Sequence, residues 1–323
     1  MTANRDDLLD WLAQGRLAAH DLTEAWRLAG IAPDRSRWLS FLERLCLWLG
    51  VVALCAALIF FLAYNWQALG RYAKFGIAEL AILAAVAVAW RTGVDGAAGK
   101  AAVCAIALLI GALLALVGQT YQTGADTFEL FAAWAAAILP LALLARLGAL
   151  WVFWLALVNL ACILYFHAVG LLLWMVFDAR AAAWTLLAVD TLALVAWEAA
   201  AWRGIPWLQE RWSPRIVATA AGSAATLLAI WAIVEREGAR LPGALAWGAW
   251  MAAAYAYYRH RRRDVFVLAG GVLSAVAVVA TLLGKLFLRH DAGGAFLLIG
   301  MVVIGLSAAG GMWLRRVAQE EGA

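Results

Sequence analysis

Ten apolar runs, each about 16–23 residues long and closed by a short polar break, occupy the chain from Leu45 to Leu314. They cover about 45–64, 72–90, 101–118, 128–145, 147–166, 181–201, 216–234, 241–258, 265–287 and 295–314. A helix of about 20 residues crosses the roughly 30 Å hydrocarbon core of a bilayer. Inside lipid only a helix or a closed barrel satisfies its own backbone, and runs this long and this apolar read as helices. Composition agrees: 66% of the 323 residues are hydrophobic and 14% charged, against roughly 45–50% and 25% in soluble domains. A water-soluble enzyme, a disordered chain and a disulfide-stapled secreted module are excluded. The fold class is all-α, a polytopic membrane protein with about ten transmembrane helices and a short N-terminal cytoplasmic helical segment.

Residues 1–43 form that segment. Asp6, Asp7 and Asp10 precede or interleave Leu8, Leu9, Trp11 and Leu12 at helical spacing, with acids where the helix dipole favours them. Gly15 stops this helix. A second runs from about Ala18 to Leu28 and ends at Gly30, and a third starts near Ser36 and continues into the membrane. Leu8, Leu9, Leu12, Leu17, Leu22 and Trp26 are expected to bury one apolar face, too small for an independent core. The segment reads as a cap on the membrane domain or on a protein partner. Residues 44–316 are the membrane domain, with halves at 44–175 and 176–316, and 317–323 a cytoplasmic tail. Ala168–Phe177 is too short to span; it extends the fifth helix, lies at the interface or turns back.

Charge sets the orientation. With ten helices, most of the 25 Lys and Arg residues fall on the side of the two termini. Arg71, Lys74, Arg180, Arg236, Arg240, Lys285 and Arg289 fall opposite. An eleventh span over 168–177 would bring the two sides near parity, so the ten-helix arrangement, with both termini cytoplasmic, is the expectation. Arg259–Arg263 is its strongest anchor. The basic residues form no stripe, so nucleic acid is not an expected partner; the bilayer is. The four cysteines lie singly in apolar runs and the four histidines are isolated, so no metal or other cofactor is expected. Trp66, Trp90, Trp151, Trp202 and Trp313 fall at helix ends, where an amphipathic ring favours the headgroup layer. Ala218, Gly222 and Thr226, and Gly270, Gly271, Ser274 and Ala275, make small-residue faces for close helix packing.

Two polar turns fall on the outer face. Asn65, Trp66, Arg71 and Lys74 sit between helices one and two. Gln119, Tyr121, Gln122, Asp126 and Glu129 sit between helices three and four. The first turn is basic and the second acidic, an arrangement suited to docking or to orienting a ligand. Within the membrane Glu79, Asn159 and Asp190 stand out, with Glu198 nearer the inner face. A carboxylate at mid-bilayer needs a partner, a water cavity or a raised pKa. Arg71 is placed to pair with Glu79. Thr185, Thr191 and Ser274 are candidate partners for Asp190.

The N-terminal helical segment, Ala63-Tyr64-Asn65-Trp66 with Lys74 after it, Val117-Gly118-Gln119-Thr120-Tyr121-Gln122, and Phe128 with Trp134 together resemble a bacterial family of predicted membrane proteins, domain of unknown function 2157. The resemblance covers roughly residues 1–145. It implies a multi-pass protein of the bacterial inner membrane and brings no activity with it. No catalytic motif is present, and the chain is not expected to be an enzyme. Ten helices divisible into two inverted five-helix halves fit a transporter-like handling of a small solute or lipid, with its polar site on the periplasmic face. Two other readings stay open. One is a non-transporting module that binds envelope or protein partners. The other is an intramembrane enzyme on a lipid or lipid-linked substrate, using Asp126 and Glu129.

Overall fold

A computed structural model describes residues 5–30, 35–173, 178–234, 240–287 and 292–320, and among these there are helices and no strands. In chain order they are α1 (Arg5–Ala13), α2 (Leu22–Leu28), α3 (Arg35–Tyr64), α4 (Arg71–Thr92), α5 (Ala97–Tyr121), α6 (Thr127–Ala145) and α7 (Gly148–Leu173). There follow α8 (Asp178–Trp202), α9 (Trp212–Val234), α10 (Arg240–Ala256), α11 (Val265–Phe287) and α12 (Ala292–Gln319). A short 3₁₀ turn, Pro206–Leu208, precedes α9, and a π turn, Tyr257–Arg261, continues α10. The ten helices α3–α12 coincide with the ten apolar runs. Nine of them among the described residues are long and apolar enough to cross a membrane; α10 has 17 residues before its π turn. Most helices outrun their apolar runs by a few residues, because a helix need not end where the hydrocarbon does.

The chain divides into two compact units, Met1–Leu116 and Val117–Ala323. In the first, α1 packs on α2. Gly15 and Gly30, at φ +69° and +70°, end the two helices as the sequence requires. Leu8 is buried, and Leu12, Leu17, Leu22 and Trp26 are half-buried. Leu9 is exposed, contrary to expectation. Neighbouring residues point about 100° apart on a helix, so a nine-residue helix with one narrow contact buries Leu8 and leaves Leu9 outside. Helix α3 has 30 residues, about 45 Å at 1.5 Å per residue. It therefore carries Arg35, Arg37, Glu43 and Arg44 past the apolar stretch without a break.

In the second unit α6 packs on α7, α7 on α8, and α8 on α9, which also receives α10 and α11, while α12 packs on α11. Helix α9 is central because its side chains are small. Val217, Ala218, Ala221, Ala224, Ala225, Leu228, Ala229 and Ala232 are all buried. They recur every three or four residues and wrap much of the helix. At Gly243 of α10 an added Cβ would stand 2.6 Å from the Leu228 carbonyl oxygen of α9, so this crossing requires glycine. Without a hydrophobic drive between helices in lipid, such close approach is what holds them. The expected small faces on α9 and α11 do meet: Thr226 Oγ1 and Ser274 Oγ are 2.6 Å apart, and Trp247 Nε1 donates to Ser274 Oγ at 2.8 Å. Of residues 168–177, 168–173 extend α7, the first of the three readings; 174–177 lie outside the described residues.

Candidate functional site

The polar positions read from the sequence fall in three places. In the first unit Asn65, half-buried, donates from Nδ2 to the Phe61 carbonyl at 2.9 Å and closes the end of α3. Lys74 Nζ stands 3.6 Å from the centre of the Trp66 ring and is buried there, an ammonium held on an aromatic face. Arg71 lies by the Tyr72 ring and hydroxyl. The expected Arg71–Glu79 pair is not formed. Glu79 is exposed on α4, eight residues and about 12 Å of helix rise from Arg71.

In the second unit the turn between α5 and α6 is built by Gln122 at φ +45° and Gly124 at φ +67°. Asp126 is the N-cap of α6 with no side-chain cap bond, and Glu129 sits in the first turn. Gln119, Tyr121, Gln122, Asp126 and Glu129 are all exposed. The aromatic residues beyond them are packing groups. Phe128 meets Tyr165 edge-on at 5.2 Å, and Trp134 meets Phe153 at 5.4 Å, so both fasten α6 to α7.

Asn159 and Asp190, which the sequence singled out separately, meet. Asn159 Nδ2 donates to Asp190 Oδ1 at 2.8 Å, and Asp190 is 1% exposed. The partner of Asp190 is thus Asn159 and not Thr185, Thr191 or Ser274. Thr185 donates to its own helix at the Ala181 carbonyl, and Ser274 is bonded to Thr226 and Trp247.

The largest polar assembly among the described residues lies at the other end of this unit, where α8, α10 and α12 finish and α9 and α11 begin. Glu198, buried in the last turns of α8, accepts four bonds. Arg211 Nη1 and Tyr258 Oη reach its Oε1 at 2.9 and 3.0 Å, and Arg262 Nη1 and Tyr257 Oη reach its Oε2 at 3.0 and 3.3 Å. Asp264, also buried, accepts from Arg211 Nε and Nη2 at 3.0 and 2.8 Å, from Arg215 Nε at 3.1 Å and from the Phe266 amide at 3.1 Å. Arg211 therefore ties both carboxylates together. Burial works to raise the Asp264 pKa, but the Arg215 and Arg211 guanidiniums outweigh it and hold the carboxyl below its ordinary value. Burial likewise opposes the charge on Arg211, and the two carboxylates overcome it and raise its pKa. The π turn is where two consecutive tyrosines reach one carboxylate.

Glu198 also lines a cleft of about 970 Å³ between α8 and α10. One end is apolar, with Leu194, Val195, Trp250, Ala253 and Ala254; the other carries Gln209, Tyr257, Arg261, Arg262 and Glu198. Its size is that of a pocket for a sizeable organic molecule. A smaller cleft of about 420 Å³ runs along the small-residue faces of α9 and α11. Neither is lined by the Gln119–Glu129 turn. The sequence marked Glu198 as near the inner face and Arg259–Arg263 as an anchor, but not their union. The signal in the sequence is a carboxylate near the end of one span and another directly before a later span, both near arginines.

Comparison with curated proteins and with solved structures found no match. The α8/α10 cleft lies beyond the stretch that has a family counterpart. That stretch, residues 9–151, matches the family of predicted membrane proteins DUF2157 and contains the Asn65-Trp66 and Gly118–Gln122 motifs.

Proposed function

We propose that this membrane protein binds an amphiphilic, lipid-like molecule in the cleft between α8 and α10. The observation that carries the reading is the two-ended lining of that cleft, apolar along the helices and charged at their ends. A chain of methylenes matches the first part and a polar headgroup the second. Of the two cargoes suggested by the ten-helix layout, lipid is favoured over a small solute, since Asp190 is enclosed against Asn159 and offers no polar port at that depth. We place both termini in the cytoplasm of a bacterial inner membrane, on the distribution of arginine, which sets the cleft mouth at the cytoplasmic leaflet. The protein binds and moves its ligand and does not convert it. The exposed turn from Gln119 to Glu129 serves as a contact surface for a partner on the opposite face.

A second reading is a non-transporting module, favoured by the Asn159–Asp190 bond, which fixes α7 against α8. Lipid retention separates the two. Protein extracted in mild detergent and examined by native mass spectrometry should carry bound lipid. Ala253→Trp, which fills the cleft, should remove it while the protein stays folded. Equal lipid on both proteins would exclude the cleft as a binding site and leave the module.

A further inference from the structure

We infer that the ligand of this cleft bears an anionic phosphate headgroup, a phospholipid of the adjoining leaflet, recognised by Arg261. The inference rests on the amphiphile reading above and adds the headgroup chemistry. Three observations support it. First, the carboxylate in the cleft is saturated. The two oxygens of Glu198 already accept from Arg211, Arg262, Tyr257 and Tyr258, which fills the roughly four lone-pair sites of a carboxylate. It therefore has nothing left to hold a cationic headgroup.

Second, the assembly has more positive than negative charge. Arg211, Arg215 and Arg262 stand against Glu198 and Asp264. Third, Arg261 is added to that excess. It is exposed, lines the cleft, and has no carboxylate partner among the described residues. Its neighbours are committed: Arg259 pairs with the Glu320 carboxylate at 2.6 Å, and Arg263 bonds the Glu320 carbonyl at 2.9 Å. A guanidinium with free donors at the polar end of an apolar slot suits an oxyanion, which it can grip through two parallel bonds. Trp202, 85% exposed at the end of α8 and also in the lining, suits the headgroup layer.

The test uses the full chain in nanodiscs of equal phosphatidylglycerol and phosphatidylcholine, followed by detergent extraction and native mass spectrometry. Phosphatidylglycerol should be retained over phosphatidylcholine by about tenfold, the worth of one good charge-assisted contact. Arg261→Gln should abolish the preference, and Arg261→Lys should restore part of it. The preference should persist when inorganic phosphate is added in excess. If phosphate alone binds and erases the preference, the site holds a free anion and the lipid assignment is wrong. If Ala253→Trp removes bound lipid yet both lipids are retained equally in the unsubstituted chain, the headgroup inference fails and the cleft stands. If Ala253→Trp changes nothing, the cleft itself fails.

Discussion

The two ends of the second unit carry similar residues in different states. At one, Gln119, Tyr121, Gln122, Asp126 and Glu129 crowd into a single turn, and each side chain faces outward. At the other, Glu198, Arg211 and the Arg262–Asp264 stretch come from three separate segments and interlock around two buried carboxylates. Polar density along the chain therefore marks a wet turn, whereas a polar group that bears energy is one whose alternatives have been removed by burial. In a low-dielectric interior each bond is stronger and each missing partner costs more. The exposed turn can lose a member without consequence to the fold; the buried assembly cannot.

The sharpest way to break this contrast is to remove one buried charge. Asp264→Asn leaves Arg211 and Arg215 facing a neutral amide and should cost about 3–5 kcal/mol of stability, the usual penalty for splitting a buried pair. Thermal or steric-trap unfolding of the full chain in bicelles would measure it, and a cost below about 1 kcal/mol would mean that the assembly is no different from a surface pair.

Acid should dissolve the same contact. The Asp264 carboxyl is held below its ordinary value, so its contribution is complete above the unfolded-state pKa of about 4 and fades as pH falls through the lower folded-state value. Unfolding midpoints should thus be flat from neutral pH down to about 5 and then drop. In Asp264→Asn the part of that drop due to this group should be missing. If the variant and the unsubstituted protein lose stability in parallel, Asp264 is not the titrating group.

A smaller effect is expected where a single neutral donor meets a buried acid. Asp190→Leu strands the Asn159 amide and should cost about 1–2 kcal/mol, as interhelical hydrogen bonds in membranes do. The double variant with Asn159→Leu should recover part of it, and strict additivity would show that the two side chains do not interact. The smallest effect belongs to the exposed turn. Asp126 makes no side-chain cap bond, so Asp126→Ala should cost only a few tenths of a kcal/mol, below the ~1 kcal/mol of a working N-cap. A full unit of loss would place Asp126 among the structural groups.

Much of the fold was legible in the residues, for reasons that are local. Apolar run length dictates how many helices can span, and ten runs became ten helices. Gly15 and Gly30 ended the first two helices because few other residues adopt their backbone angles without strain. Where a contact joins distant segments, the reading weakened. The apolar run around Asp190 calls for a partner, but it points to Thr185 and Thr191 on the same helix and to Ser274, and nothing in it points to Asn159. The spacing of α1 offers Leu8 and Leu9 alike to a neighbour, and the pattern does not say which of them meets α2; the fold buries Leu8 and leaves Leu9 outside.

Class, helix number and the need to satisfy an acid at mid-membrane were thus determined by the sequence alone, since each follows from the solvent around a single segment. Tertiary structure alone decided that Asn159 answers Asp190, that Arg211 joins Glu198 to Asp264, and that α8 and α10 leave a cleft between them. These contacts link residues 31, 13 and 53 apart, a span over which periodicity carries no information. They exist because α9 is lined with alanine and lets its neighbours close around it.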